Sequence, residues 1–454
     1  MRAYRFKKAF LPSGWADEVG VEVGDDGVIV RVTPGTAPDG AEKISGIALP
    51  GMPNLHCHAF QKGMAGLAER RGPTGDSFWT WREVMYRFLS QLTPDDVEAI
   101  AAYAYLDMLE AGFTTVGEFH YLHHDPSGQP YDDIGEMAAR IVGASASTGI
   151  GLTLLPSLYT YGGFGGAAPN PGQIRFINPT GRFVTLMERS RQIVAALPGA
   201  AIGIAPHSLR AVSPEQLREA TAIFADGPVH IHAAEQIREV DDSVASLGAR
   251  PVQWLLDNMN LDGRWCLIHA THMTDDETAR LARSGAVAGL CPLTEGSLGD
   301  GIFNGETYLA GQGRFGIGSD SNIQIDAPAE LRQLEYSQRL KARARNVMTE
   351  TEGESTGRSL YARALAGGAQ ALGQRIGAIA PGHRADIVVL DADHPDLAGA
   401  GGDMVLDVLM FSAGRALIRT VMTGGKPVVR DGRHFAREAI AQKYRSTVSR
   451  LANG

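Results

Sequence analysis

Eight short apolar runs recur through the middle of the chain, ending near Leu55, Glu118, Pro156, Ala205, His232, His269, Leu290 and Ser319. Each is followed by polar or glycine-rich sequence, and helical patterns lie between them. Strand and helix in strict alternation call for a parallel sheet with helical crossovers. Several helix starts are explicit. Thr93-Pro94 pairs a cap residue with proline at the first helical position. Ser213-Pro214-Glu215-Gln216 and Thr274-Asp275-Asp276-Glu277 have capping-box spacing, and Gly285 can close the second of these helices. Eight units over roughly 320 residues fit a (β/α)8 TIM-like barrel of the α/β class, with insertions. A doubly wound open sheet is the alternative, but no Gly-x-Gly-x-x-Gly opens a helix after an early strand.

The flanks read differently. Val19 to Val23, the turn Gly24-Asp25-Asp26-Gly27 and Val28-Ile29-Val30 form a hairpin pattern. Similar strand texture returns at Ala385–Leu390, Leu417–Met422 and Lys426–Arg430. The two ends are expected to pair into one small discontinuous β domain. Residues 1–49 and 376–436 would form it, 50–375 the barrel, and 437–454 a C-terminal helix.

Hydrophobic residues make up 44% of the chain, enough for a large core. The net charge of −9 argues against nucleic acid and anionic membrane as main partners. Cys57, Cys266 and Cys291 are odd in number and set in apolar surroundings, so they read as reduced thiols in a cytoplasmic protein. No apolar h-region marks a signal peptide, and no run is long enough to span a bilayer.

In such barrels, polar residues at the C-terminal ends of strands build the active site. Here His56 and His58 close the first strand. Residues i and i+2 of a strand share a face, so both can reach one metal ion. His232 closes the fifth strand, with Glu235 three residues on; His269 closes the sixth; Asp320 follows the eighth. So many polar strand ends are hard to explain as satisfied core groups. Two stretches break the rhythm: an aromatic loop, Trp79-Thr80-Trp81-Arg82, and a glycine- and proline-rich segment from Tyr159 to about Gly181. The second reads equally as a lid or as a surface or subunit contact.

Pro50-Gly51-Met52-Pro53-Asn54-Leu55-His56-Cys57-His58, followed by His232, His269 and Gly318-Ser319-Asp320, resembles the amidohydrolase superfamily. Pro381 to Leu390 resembles that superfamily's return into its β domain. The resemblance implies that His56, His58, His232 and Asp320 hold one divalent metal ion. Zinc is the expected ion, although iron also suits such ligands. The chain has no lysine between Lys62 and Lys341, so the bridging carboxylated lysine of two-metal members is missing and a mononuclear, deaminase-like site is expected. On that reading the metal supplies hydroxide at neutral pH. Asp320 would accept the water's proton, His269 would orient the hydroxide or polarise substrate, and Glu235 would carry a proton to the departing amine. Glu235 also reads as a helix-start carboxylate.

Arg82 and Arg210 suit a dicarboxylate substrate, since arginine grips carboxylates through paired hydrogen bonds; each also reads as an ordinary surface ion pair. Asn54 to Gly63, Phe78 to Arg82, Glu118 to His123 and Pro206 to Arg210 resemble the N-formimino-L-glutamate deiminases. That likeness implies a substrate pocket of Gln61, Arg82, Tyr121, His207 and Arg210. It implies hydrolysis of N-formimino-L-glutamate to N-formyl-L-glutamate and ammonia in histidine degradation, and a homodimer. Where Thr294 and Glu295 stand, nucleobase deaminases of the superfamily often carry asparagine and serine, which weakens a purine or pyrimidine reading. The His123-His124 pair reads either as a second metal site or as a feature of its loop.

Overall fold

The computed structural model describes residues 1–72 and 75–453, with Asn453 by its backbone alone. The eight barrel strands are Met52–Cys57, Phe113–His120, Gly151–Leu158, the broken pair Ala201–Ile202 and Ala205–Pro206, Val229–Ala233, Trp265–His269, Val287–Leu290 and Arg314–Ile317. They pair in the order five-six-seven-eight-one-two-three-four, all parallel. Bridges from Ile204 to Val229 and from Ser208 to His232 join strand four to strand five and complete the ring. Every residue of strands two, three, five and six is buried. Strands three and six accordingly read as largely apolar runs, while Thr114, Thr115, Glu118 and His230 put polar groups inside strands two and five.

The seam between strands eight and one is thin. One ladder pair, Ile317 with Asn54, opens it. Beyond that, the His58 N–H donates to the Asp320 carbonyl and the Asp320 N–H donates to the His56 carbonyl, each at 3.0 Å. Glycine makes this approach possible: a Cβ on Gly318 would stand 2.7 Å from the His56 carbonyl oxygen. The strand therefore ends at Ile317, two residues before the expected Ser319.

The helix Thr356–Leu372 seals the opposite end of the barrel. A Cβ on Gly367 would lie 1.9 Å from the Phe315 carbonyl oxygen, so the helix backbone rests directly on strand eight. The Ala371 and Leu372 carbonyls take hydrogen bonds from His230 (2.8 Å) and Thr153 (2.9 Å). His230 thus serves this floor, while His232 on the same strand faces the other mouth.

A second sheet runs Arg433–His434, Lys426–Arg430, Ile418–Thr423, Ile387–Leu390, Glu42–Pro50, Arg2–Leu11, Gly14–Val23, Ile29–Thr33. The two ends of the chain meet where Val388 pairs with Leu49. The sheet also contains a ten-residue first strand, Arg2–Leu11, whose pattern is hidden by basic residues at Arg2, Arg5, Lys7 and Lys8. Between Ile387–Leu390 and Ile418–Thr423 the chain makes a helical excursion, Met404–Val408 continuing into Leu409–Ala413. All three cysteines are free and buried. Among the described residues no helix is long and apolar enough to cross a membrane.

One expectation is corrected. The aromatic stretch after strand one is not a loop but the helix Phe78–Leu89. Ser77 caps it, and the Thr80 hydroxyl accepts the Ser77 N–H at 3.0 Å. Threonine in place of the usual glutamate or glutamine disguises this capping box. Phe78, Trp81, Met85 and Phe88 then recur at helical spacing along one side. The three starts expected at Thr93, Ser213 and Thr274 all carry reciprocal caps, and Gly285 closes its helix in the left-handed conformation.

Candidate active site

The strand ends converge on one cleft. His58, Gln61, Arg82, Tyr121, His207, Arg210, His232, Glu235, His269 and Asp320 line it, and His56 lies fully buried immediately behind. The backbone is strained at this mouth. Ala234, His269, Ala270, Asp320 and Asn322 all adopt positive φ, between 43° and 68°. Left-handed backbone in non-glycine residues is costly and clusters at functional sites. Here it falls where strands five, six and eight give way to their loops, beside Glu235, His269 and Asp320 of the cleft.

Asp320 sits at the centre. Its Oδ1 lies 3.4 Å from the Nε2 atoms of both His56 and His58, and its Oδ2 lies 3.8 Å from His269 Nε2. His58 Nδ1 meets the Phe119 carbonyl at 2.9 Å, and His232 Nδ1 meets the His207 carbonyl at 3.0 Å. Carbonyls only accept, so the proton sits on Nδ1 in both rings and Nε2 is left as a donor atom for a metal. Burial pushes His56 down to about 3 and lowers His58 and His232 as well, so these rings are neutral and able to ligate. Burial works to raise the Asp320 carboxyl, but contact with His56 and the nearby His58 and His269 rings hold it below the usual carboxylate range.

The donor set fits a metal ion. Ligand atoms of His56, His58 and Asp320 lie within 4.8 Å of one another, as do those of His56, His232 and His269. Neither ring nitrogen of the fully buried His56 has a hydrogen-bond partner, an expensive arrangement for a purely structural histidine. His123 and His124 instead anchor their loop, bonding the Ser157 carbonyl and the Ile177 carbonyl at 3.0 Å each.

Glu235 is buried between two groups: its Oε1 lies 3.8 Å from His269 Nε2 and its Oε2 lies 3.9 Å from Arg210. Burial raises it to about 7, against the pull of His269 and Arg210. His269 moves the other way. Burial opposes its charge, but Glu235 and the hydrogen bond to Glu295 lift it to about 10. The helix-start reading of Glu235 is thereby set aside, since its carboxylate points into the cleft.

Arg210 is no surface ion pair. Its side chain is 11% exposed and its Nε has no partner. Arg82, also with an unpartnered Nε, lies over the rings of Trp79 at 4.6 Å and Tyr86 at 5.5 Å. Gln61 donates to the Tyr121 hydroxyl at 2.9 Å while its Oε1 remains unpartnered. These are donors and acceptors held ready for a polar ligand.

The sequence did not disclose the apolar wall. Phe78, Trp81, Met85 and Tyr86 line the cleft from the unrecognised helix, and Tyr159 and Phe176 from the glycine- and proline-rich segment. That segment is tied down: Gln173 donates to the Tyr159 hydroxyl at 2.7 Å, and the buried Arg175 donates to the His124 carbonyl at 2.9 Å. Helical spacing after Ser77 was the one signal available for the wall.

A parallel barrel, a split β domain and a histidine–aspartate cluster with free ligand atoms define a metal-dependent hydrolase. The chain belongs to the amidohydrolase family, which its residues 47–428 match. Residues 1–46 match the N-terminal domain of formimidoylglutamate deiminase HutF. The chain is 51% identical to the formimidoylglutamate deiminase of Pseudomonas aeruginosa over 452 residues, 99% of this chain and 100% of that one. The crystal structure of an amidohydrolase from Brucella melitensis matches with a TM-score of 0.95 and 50% identity, each chain covered in full. An adenosine deaminase from Xanthomonas campestris with bound zinc shares the fold at 22% identity, TM-score 0.81, covering 100% of this chain and 98% of that one.

Proposed function

We propose that this chain hydrolyses N-formimino-L-glutamate to N-formyl-L-glutamate and ammonia, a step of histidine degradation. The observation that carries the reading is the meeting, in one cleft, of a metal-competent histidine–aspartate cluster with two arginines whose Nε atoms are unpartnered. The full-length likeness to a formimidoylglutamate deiminase supports it.

His56, His58, His232 and Asp320 would hold one divalent ion, zinc in our reading, which when bound supplies a hydroxide nucleophile at neutral pH. Asp320 divides its work between two oxygens: Oδ1 faces the ligand histidines and Oδ2 faces His269, where it can receive the water's proton. His269 presents Nε2 to the same place. Glu235, near neutral in pKa, holds a proton that it can pass to the departing nitrogen. Arg82 and Arg210 grip the two carboxylates, and Gln61, Tyr121 and His207 complete the polar lining. Water adds at the formimino carbon and gives one proton to Asp320. The terminal NH takes one proton from Glu235 and the one held by Asp320, the carbon–nitrogen bond breaks to release ammonia, and the proton of the new hydroxyl returns to Glu235 as the carbonyl of the formyl group forms.

The same reading makes the protein a cytoplasmic homodimer acting on a small dicarboxylate, without nucleic acid or membrane partners. The test is ammonia release from N-formimino-L-glutamate by zinc-loaded protein, with the organic product identified by mass. Fast release with N-formyl-L-glutamate as product is expected. No release from metal-loaded protein, with turnover of a guanine or a triazine instead, would overturn the substrate.

A further inference from the structure

His269 is caught between three carboxylates. Its Nε2 faces Glu235 Oε1 and Asp320 Oδ2, both at 3.8 Å. Its Nδ1 faces the third, Glu295 Oε1, at 3.3 Å. The ring is 1% exposed and the residue's own backbone is left-handed, with φ of 68°. Backbone alone leaves the ring free to rotate, so something on the far side must set its orientation.

Glu295 is built for that. It stands in the short helix Pro292–Leu298 that follows strand seven directly. Its Oε1 already accepts the Cys291 N–H at 2.9 Å, which fixes the oxygen from the backbone. The helix is pinned in turn. Leu293 N–H donates to Glu330 at 2.9 Å, and Thr294 bonds the Ser319 carbonyl and the Ser321 hydroxyl, on the strand-eight side of the site. Glu295 is thus a fixed acceptor held by two barrel loops.

We propose that Glu295 is a positioning residue: it holds His269 with Nδ1–H donated to Oε1, so that Nε2 is the nitrogen presented to the reacting centre. A carboxylate oxygen in this contact can only accept, so the proton between the two residues belongs to Nδ1. A divalent ion held by the adjoining His56, His58 and Asp320 would oppose a second proton on His269, and in the neutral imidazole the bond to Glu295 leaves Nε2 as the basic atom. A partner that fixes the far nitrogen of a working histidine is worth tenfold to hundredfold when removed from a ligand ring. The inference rests on the deiminase reading for its activity readout but not for its structural one.

The test uses zinc-loaded protein with Glu295→Gln and Glu295→Leu. Because the Cys291 N–H claims the same oxygen, the glutamine amide must put its carbonyl there. Glu295→Gln should therefore keep kcat near that of the parent. Glu295→Leu should lose about 10- to 100-fold in kcat per bound metal with little change in KM, the scale of a lost orienting partner. Long-range proton–nitrogen spectra of histidine-labelled protein, with His269 assigned by its loss in His269→Gln, read the tautomer directly. The parent and Glu295→Gln should show the proton on Nδ1, and Glu295→Leu should not. In a His269→Gln background, Glu295→Leu should cost nothing further in kcat. If the leucine variant does not fold, Glu295→Ala takes its place. Full kcat in Glu295→Leu, an unchanged tautomer, equal losses in both variants or an added loss without His269 would each overturn the proposal. A parent that does not turn over N-formimino-L-glutamate would sink the deiminase reading instead, and the tautomer measurement would still decide the role of Glu295.

Discussion

Arg210→Met offers the sharpest test of how the cleft reads its substrate. Methionine keeps the apolar stem and removes the guanidinium. In the protein Arg210 is almost wholly buried, its Nε bonds nothing, and its nearest carboxylate, on Glu235, stands 3.9 Å away. Its hydrogen-bonding capacity is therefore largely unspent before substrate arrives. A hydrogen bond to a charged group is worth about 1.5–3 kcal/mol, so KM should rise about 10- to 150-fold. A second effect follows from Glu235, whose pKa the Arg210 charge pulls down. Without that charge the carboxyl moves above its value of about 7, and the inflection that it gives to the pH–rate profile moves to higher pH. Steady-state kinetics should be run on N-formimino-L-glutamate, on the analogue with an amide in place of the side-chain carboxylate, and on the analogue lacking the α-carboxylate. The parent should discriminate against both analogues. The variant should lose discrimination against one, which names the carboxylate that Arg210 holds. Unchanged KM and kcat, or undiminished discrimination against both, would remove Arg210 from the pocket.

Other perturbations reach different parts of the molecule. His56→Ala should lose both bound metal, by elemental analysis, and turnover; full metal occupancy in that variant would dissolve the ligand set. Burial raises Glu118, beneath the site, to about 7, although it accepts bonds from the Ala59 N–H and the Tyr105 hydroxyl. A carboxyl raised on folding favours the folded state below its unfolded pKa, and this contribution is lost as pH climbs through about 7. Relative to Glu118→Gln, the parent should therefore lose about 3 kcal/mol of stability between pH 4.5 and 8, read from urea unfolding; parallel pH dependences would contradict the burial argument. Gly367→Ala should destabilise by about 1–3 kcal/mol or more through overpacking against strand eight, seen as a lowered Tm. An unchanged Tm would mean that the helix floor can shift freely.

What the sequence disclosed was what backbone burial and strand period write into it. Strands with both faces buried are largely apolar, and polar residues recurring at one strand end after another stand out, as His232, His269 and the His56–His58 pair do. The barrel and its donor set follow from that contrast. The apolar wall of the cleft does not. Phe78, Trp81, Met85 and Tyr86 belong to a helix whose cap uses threonine where glutamate or glutamine is the usual sign. Tyr159 and Phe176 lie in a segment whose glycines and prolines indicate only irregular backbone. Glu295 was visible as an unusual residue, but its reach to His269 depends on the packing of loops from two strands that no local pattern encodes.

The thin seam between strands eight and one bears on how the protein comes to exist. The histidine pair leaves the ribosome more than 250 residues ahead of Asp320. Until the last strand docks, His56 and His58 have no aspartate to complete their trio, and the hydrogen bonds that join His58 and His56 to the Asp320 backbone cannot form. The complete set of candidate donors is therefore assembled only when the last strand is in place. A chain that misplaces its final strand lacks the one carboxylate of the trio, so the full donor set is itself a signature of the closed barrel.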